Sequence, residues 1–450
     1  MSTRYFGTDG IRGEADGPLF ERAFIIRLTD GLIRYLRSSL GVKSPRIVIG
    51  RDPRVTGERI LQDLTYGFSR VPGECIDLGI VPTPAVANAV RSAEADLGIA
   101  ITASHNPASD NGIKLFSKDG TKFPANVEEK IEALMLAPVE FPSETSPHFS
   151  ATARTELPAY IQSTEILSVH LDLTGKTIVC DTANGATCSS TPGVLTARGA
   201  DVIQIGNAPD GGNINLDCGS EHAEAMAQKV KDLSADLGIA HDGDGDRVIF
   251  SDETGSIVPG DQILGIFALH GIRRESLANK ILVATIQSNR GLDLAVEKAG
   301  GTVVRTDVGD RNVANKMREL GASLGGESSG HIILHNYSTT GDGLMAALYL
   351  LRILQETGKP LSELRKEVPL LPQVSGNLLV KEKNPLNTCI NLTAEQTEIE
   401  SRIGTAGRAM IRYSGTEPKL RFLVEASTIE ECNDYMARLL TAARKDLQEA

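Results

Sequence analysis

Short apolar runs bounded by turn residues alternate with stretches of helical spacing along most of the chain. Residues 20–36 carry helical apolar spacing, and 46–50 (Arg-Ile-Val-Ile-Gly) predict a strand leading into a turn at Asp52-Pro53. Thr83-Pro84 reads as an N-cap followed by proline at the first helical position, opening a helix to about Ala93. Residues 95–101 form an apolar run long enough for a buried strand. The chain then turns polar at once over 102–114, where Asn106-Pro107 and Asn111-Gly112 signal turns. Asn126 and Glu129 stand at capping-box spacing, with Val127, Ile131 and Leu134 on one face of the helix they open.

Residues 136–150 contain three prolines and no periodicity, which predicts a linker between domains. A second α/β unit follows, with helices near 157–169 and 221–233 and strands at 176–181 and 200–205. Residues 235–240 then repeat Ala-Asp-Leu-Gly-Ile-Ala from 95–100, identical at six positions. Both copies lead into the most polar loops of the chain, so the repeat predicts recurring α/β units. A third unit starts near Gly260, with strands at 280–285 and 302–305, helices at 292–298 and 342–354, and a Gly/Ser-rich loop at 323–331. After Pro369 and Pro372, strands at 373–380, 408–413 and 419–426 alternate with helices, the last capped by Thr428. The expected fold class is α/β: three similar mixed α/β domains over 1–150, 151–255 and 256–368, and a smaller C-terminal α+β domain over 369–450.

Composition narrows the class of function. At 450 residues and 41% apolar content, several domains are expected rather than one core. No apolar run approaches a membrane span, and residues 1–10 lack a signal-peptide pattern, so the expectation is a cytoplasmic protein without a membrane partner. A net charge of −12 argues against nucleic acid, and the absence of Trp with 4% aromatic content argues against base-stacking platforms. Cys75, Cys180, Cys188, Cys218, Cys389 and Cys432 are scattered without a C-x-x-C pair and read as buried free thiols. In so acidic a chain any phosphate must be bound by local cationic clusters.

Asp242, Asp244 and Asp246 are the most specific local signal. On a straight strand they would lie about 6–7 Å apart along one face. The intervening glycines let the loop curl until the carboxylates converge. Each pair at about 5 Å would then repel by roughly 3 kcal/mol at an effective dielectric near 20. A hard divalent ion removes that cost, and carboxylates with a phosphate oxygen suit Mg²⁺. A solvated acidic turn is the plain alternative. An EF-hand fails because Arg247 stands where its glycine must be, although Glu253 is at the twelfth position.

Ser104, at the mouth of the strand with Lys114 ten residues on, reads as a carrier of a phosphoryl group. His105 is adjacent, and no Gly-x-Ser-x-Gly elbow surrounds the serine, so a Ser-His-Asp hydrolase is not expected. Three glycines around Arg12 predict a loop presenting it to an anion, or a surface turn. Glu327 and Ser329 could bind vicinal sugar hydroxyls or belong to an ordinary turn. Arg412, Ser414, Gly415, Thr416 and Arg421 suit a phosphate monoester, or equally a hairpin with solvated charges.

Taken in order, these motifs resemble the α-D-phosphohexomutases nearly end to end, and within them most the bacterial phosphoglucosamine mutase subfamily. The carriers are 5–13, 102–114, 242–247, 325–331, 339–343 and 414–418 with Arg421. The resemblance implies four domains meeting at a central cleft. It implies a phosphorylated Ser104, one Mg²⁺ held by Ser104, Asp242, Asp244 and Asp246, a sugar loop with Glu327 and Ser329, and a distal phosphate clamp of Arg412, Ser414, Gly415, Thr416 and Arg421. Ser328 and Asp307 depart from the subfamily pattern.

The implied reaction interconverts glucosamine 6-phosphate and glucosamine 1-phosphate through a 1,6-bisphosphate, a compound that would also act as activator. Arg12, Lys114 and Arg247 would neutralise charge, and Lys114 would help deprotonate the accepting hydroxyl. The partner is then a small hexosamine phosphate, bound by a monomer or homodimer. The alternatives are a glucose/mannose phosphomutase, a phosphohydrolase forming the same phosphoserine, and a non-catalytic sugar-phosphate sensor.

Overall fold

The computed structural model describes residues 5–7, 9–137, 146, 148–153, 157–414 and 418–447. Two compact units emerge, one of Met1–Gln287 with Gly300–Lys366 and one of Ser288–Ala299 with Glu367–Ala450.

The first unit carries three sheets. In the first, β1 (Ile11–Glu14), β2 (Arg46–Arg51), β3 (Gly73–Ile80), β4 (Leu97–Ile101), β5 (Asp110–Ser117) and β6 (Phe149–Ala153) take the order β1-β5-β4-β2-β3-β6. In the second, β7 (Thr177–Asp181), β8 (Asp201–Ile205), β9 (Leu237–His241), β10 (Val248–Ser251) and β11 (Ile257–Val258) take the order β11-β10-β9-β7-β8. In the third, β12 (Ile281–Thr285), β13 (Thr302–Thr306), β14 (Leu324–Gly326) and β15 (Ile332–Leu334) take the order β13-β12-β14-β15.

One pattern underlies all three sheets. A central strand (β2, β7, β12) is flanked in parallel by the next strand on one side and the one after on the other. That third strand then returns antiparallel through a short loop, as β4–β5, β9–β10 and β14–β15. The two copies of Ala-Asp-Leu-Gly-Ile-Ala are β4 and β9 with their lead-ins. Ala322-Ser323-Leu324-Gly325 leads into β14 as a degenerate third copy. Gly98, Gly238 and Gly325 hold the same place, under the preceding helix. A Cβ there would fall 2.3 Å from Val90 Cγ2, 1.9 Å from Met226 Sδ and 2.5 Å from Met317 Sδ respectively. The helices Thr83–Ser92, Glu224–Leu233 and Asp310–Leu320 can therefore lie directly on the strands that point to the three polar loops.

In the second unit β16 (Gln373–Leu379), β17 (Arg408–Tyr413) and β18 (Lys419–Glu425) form an antiparallel sheet of order β16-β18-β17. The helices Ile390–Ile403 and Ile429–Asp446 supply Leu392, Ile399, Cys432 and Leu439 to its core. Thr428 caps the second of these helices as expected, its hydroxyl accepting from Glu431 N–H at 3.2 Å.

Several local expectations change. Arg12 sits on β1, not in a glycine loop, because Gly10 leads the chain into pairing with β5 (Arg12 opposite Gly112). The helix predicted from Thr83 starts after Pro82, and the Thr83 hydroxyl turns away from a capping role to donate to Asp244 Oδ2 at 2.5 Å. The Asn126/Glu129 capping box does not form, since the chain enters the helix Ala125–Met135 directly from the extended Pro124. Of the predicted linker, residues 138–145 and 147 lie outside the described residues, and Phe149 opens a strand paired with β3. The cysteines are free thiols, five of them buried and Cys188 half-buried. Among the described residues no helix is long and apolar enough to cross a membrane.

Candidate active site

The three equivalent strand-to-strand loops carry the candidate residues: Ser104 follows β4, the aspartates follow β9, and Glu327 follows β14. Ser104 is buried in the left-handed region at φ 55. Its N–H donates to Thr102 Oγ1 at 2.8 Å, and its hydroxyl donates to Asp242 Oδ2 at 2.5 Å. His105 Nδ1 is 3.4 Å from the same hydroxyl. Burial and the charges of Arg247 and Arg12 push this imidazole down to about 4, so it is neutral at neutral pH.

Asp242, Asp244 and Asp246 are all buried, with ligating oxygens within 4.8 Å of one another, as the curled loop requires. Burial, then Asp244 and Asp246, drive the Asp242 carboxyl well up. Asp246 goes the other way: burial opposes its charge, but Lys114 and His331 outweigh it and hold the carboxyl well below its ordinary value. Lys114, on β5, donates to Asp244 Oδ2 and Asp246 Oδ2, both at 2.7 Å, and lies 3.2 Å from Asp9 Oδ2. Burial disfavours its charge, yet these carboxylates raise its pKa well above the ordinary value, so Lys114 is an ammonium here. Arg247 N–H donates to Asp242 Oδ1 at 3.1 Å and its guanidinium to Glu221 at 3.0 Å. Arg12 pairs with Asp9 and reaches Asn106 Oδ1 at 3.5 Å.

These residues fit a divalent cation. Asp244 Oδ1 is buried without a hydrogen-bond partner, and burial, then the charges of Asp244 and Asp246, push the Asp242 carboxyl toward its protonated form. Such a donor set of hard oxygens suits a cation of the Mg²⁺ type.

Around the triad runs a closed ring of charges that the sequence did not disclose. Lys122 bridges Asp9 and Asp310, His331 stands 3.6 Å from Asp310 and 3.5 Å from Asp246, and Lys114 joins Asp246 back to Asp9. Asp9, Lys122, Asp310, His331 and Thr83 were therefore missed. Each is separated from its partner by many residues and sits in no recognisable spacing. The sugar-loop candidates are docked beside this ring. Glu327 Oε1 accepts from Gly309 N–H at 3.0 Å, at the head of the helix Asp310–Leu320, and its own N–H donates to His331 O at 2.9 Å. Ser329 is half-buried in the same loop.

In the second unit Arg412 and Arg421 stand directly opposite one another on β17 and β18. Like charges placed so disfavour one another, and a bound anion would offset this. Arg421 Nη2 donates to Ser414 Oγ at 3.3 Å, and Lys383 Nζ to Ser414 O at 2.7 Å. Gly415 and Thr416 lie outside the described residues.

Comparison with known proteins matches this arrangement along the whole chain. Profiles described as phosphoglucomutase/phosphomannomutase α/β/α domains I, II and III match residues 3–140, 158–255 and 259–370, and the C-terminal domain profile matches 371–442. A protein named phosphoglucosamine mutase from Pelobacter propionicus is 41% identical over 99% of both chains. One of the same name from Nitratidesulfovibrio vulgaris is 40% identical over 100% of both. Among solved structures, a phosphoglucomutase/phosphomannomutase family protein from Burkholderia thailandensis superposes with a TM-score of 0.82 at 23% identity, covering 100% of this chain and 99% of that one. With all four domains matched in order and three of them carrying the serine, aspartate and glutamate loops at equivalent strand ends, the chain belongs to the phosphoglucomutase/phosphomannomutase family.

Proposed function

We propose that the chain is an isomerase that interconverts glucosamine 6-phosphate and glucosamine 1-phosphate, with Ser104 carrying the phosphoryl group. The observation that carries this reading is the Ser104 hydroxyl seated on Asp242 inside a buried aspartate triad. Full-length relatives at about two-fifths identity named phosphoglucosamine mutase support the choice of sugar.

In the first half-reaction a sugar hydroxyl oxygen forms a bond to phosphorus as the Ser104 Oγ–P bond breaks. The hydroxyl proton ends on Ser104 Oγ, and the product is the 1,6-bisphosphate. After reorientation the other phosphate returns to Ser104 by the reverse exchange, so no water is consumed and no phosphate released. Asp242, Asp244 and Asp246 would hold Mg²⁺, which supplies compensation for the charge of the transferring phosphoryl group. Arg12, Lys114 and Arg247 surround the same position with fixed positive charge. Lys114, beside Asp244, Asp246 and Asp9, neutralises charge in this state and is the candidate group for helping to deprotonate the accepting hydroxyl. Glu327 and Ser329 are the sugar-hydroxyl ligands. In the second unit, Arg412, Ser414, Gly415, Thr416 and Arg421 bind a phosphate monoester. A hexose 1,6-bisphosphate serves as activator by charging Ser104, and the cytoplasm is the expected compartment.

Intact-protein mass before and after incubation with glucose 1,6-bisphosphate and Mg²⁺ tests the carrier: one phosphoryl group should be gained, and Ser104→Ala should gain none. Turnover of the glucosamine, glucose and mannose 6-phosphates tests the sugar. A preference for glucose or mannose would move the assignment to those substrates. Inorganic phosphate released in step with substrate loss would make the chain a phosphohydrolase.

A further inference from the structure

Arg54 and Asn215 touch neither the aspartate triad nor the sugar loop, yet both are spent on the main chain around Ser104. Arg54 is buried just after β2 and is anchored to Asp52, with Nε donating to Oδ2 at 2.9 Å and N–H donating to Oδ1 at 3.1 Å. Its Nη2 donates to Ser104 O at 3.1 Å and Asn106 O at 2.7 Å. Its Nη1 donates to Asp110 O at 2.9 Å and to Pro107 O. Asn215 comes from the part of the chain that carries the second sheet. Its Nδ2 donates to the same two carbonyls, Ser104 O at 2.8 Å and Asn106 O at 3.0 Å. Gly243, between two of the aspartates, closes the third side, where a Cβ would lie 2.8 Å from both Ser104 O and Asn215 Nδ2.

A guanidinium beside a phosphate-transfer site would ordinarily be expected to face an anion. Among the described residues its hydrogen bonds run to Asp52 and to carbonyls of the 104–110 stretch, so its work is positional. The work is needed because Ser104 sits at φ 55, a conformation that an L-residue with a side chain adopts only under strain. Such a conformation persists only where its surroundings over-determine it. Two donors on each of two carbonyls do that, since a carbonyl oxygen has two lone pairs and the Ser104 oxygen accepts from both Arg54 and Asn215.

We propose that Arg54 and Asn215 are positioning residues that clamp the Ser104 and Asn106 carbonyls and so fix the phosphoryl-carrying Oγ beside Asp242. The inference rests on Ser104 being the carrier. Because the clamp touches no sugar-binding residue, its loss should reach the transfer step and leave substrate binding alone. Small displacements of a reacting atom are enough to cost large factors in rate.

Asn215 is itself left-handed, at φ 58, so Asn215→Gly removes the amide without adding backbone strain. Asn215→Asp keeps the shape but turns an oxygen toward two carbonyl oxygens. Each full-length variant is charged with glucose 1,6-bisphosphate, its phosphoserine content read by intact mass, and glucosamine 6-phosphate turnover expressed per phosphorylated chain. The expectation is a fall in kcat of about tenfold or more with KM within about twofold, larger for Asp than for Gly. Arg54→Lys, which keeps the charge on Asp52 but cannot span four carbonyls, should show the same split. A merely structural role would lower the melting temperature and the phosphorylated fraction while turnover per phosphorylated chain stayed at the wild-type level, and that result would overturn the proposal. A wild-type chain that takes up no phosphoryl group would instead remove the carrier reading, and this inference with it.

Discussion

Asp342 shows how a single buried carboxyl can set a pH dependence away from the reacting atoms. It caps the helix Gly343–Thr357, accepting from Met345 N–H at 3.0 Å and from the Tyr160 hydroxyl at 2.8 Å. Burial pushes its pKa up from 3.8 to about 6. The folded state therefore keeps a proton that the unfolded chain has released between those values. Stability falls as pH rises through that window, and the full cost stands above about pH 6. Asn caps as well as Asp and carries no charge to bury. Asp342→Asn should accordingly gain about 1–3 kcal/mol at pH 7.5 and almost nothing near pH 4. Urea melts at the two pH values check this, and an equal shift at both would show that ionisation of Asp342 is not the cause. At this scale the sequence was legible where one residue acts on its own neighbours, as with the aspartate triad and the Thr428 cap. It was silent where a residue acts across the fold. Thr83 reads as a helix cap because its neighbour is proline, and only the packing of its helix against the β9 loop shows that it serves Asp244.

The repeated strand is the element that explains the site's architecture. Gly98, Gly238 and Gly325 each let a helix rest on the strand that delivers a functional loop, so the recurrence of Leu-Gly ahead of the polar loops has a packing cause. The cost of filling that space depends on what fills it now. At Gly98 an added Cβ meets Val90, β-branched and fixed in its helix, and lies 3.2 Å from Phe116 Cβ; at Gly238 Met226 can swing its thioether aside, but Val230 Cγ2 at 2.9 Å and Ser251 Cβ at 3.0 Å remain. Gly98→Ala and Gly238→Ala should thus each destabilise by about 1–3 kcal/mol. Chemical denaturation of the two variants checks this, and a variant as stable as the wild type would contradict this reading of the interface. The period-two and helical patterns found β2, β4, β7, β8, β9, β12 and β13 within a residue or two, but not the parallel strands β3 and β6, the second of which begins inside the predicted linker. They did not find β1 and β5, because the loop residues Arg12, Asn111 and Lys114 that make those strands polar are the ones recruited to the site. Nor did they separate the third copy of the repeat, where Gly326 and Glu327 replace the apolar end.

Across the first unit, the candidate-site loops of three sheets are joined by charge. The carboxylates of Asp9, Asp242, Asp244, Asp246 and Asp310 are set among Arg12, Lys114, Lys122 and Arg247, with His331 between two of the aspartates. Linear sequence could show that these charges exist, but not that the fold closes them into a ring, since the ring's links span from 21 residues (Asp310–His331) to 188 (Lys122–Asp310). Phosphorylation of Ser104 would add about −1.5 to −2 charge to this balance. Without a divalent cation the added charge should repel the triad and loosen the packing of the Ser104 and Asp242–Asp246 loops. With Mg²⁺ present the phosphate oxygens become additional ligands, the site binds the metal more tightly, and the folded state is favoured by mass action. Phosphorylated chain should therefore melt lower than unphosphorylated chain in chelator, and should gain more on adding Mg²⁺. Asp244→Asn should blunt that gain together with turnover, while Ser104→Ala should lose turnover, show only the smaller metal shift and still bind sugar phosphate. Equal Mg²⁺ shifts in the two phospho-forms would mean that metal and phosphoserine do not share a site, and that the aspartate triad serves some other charge.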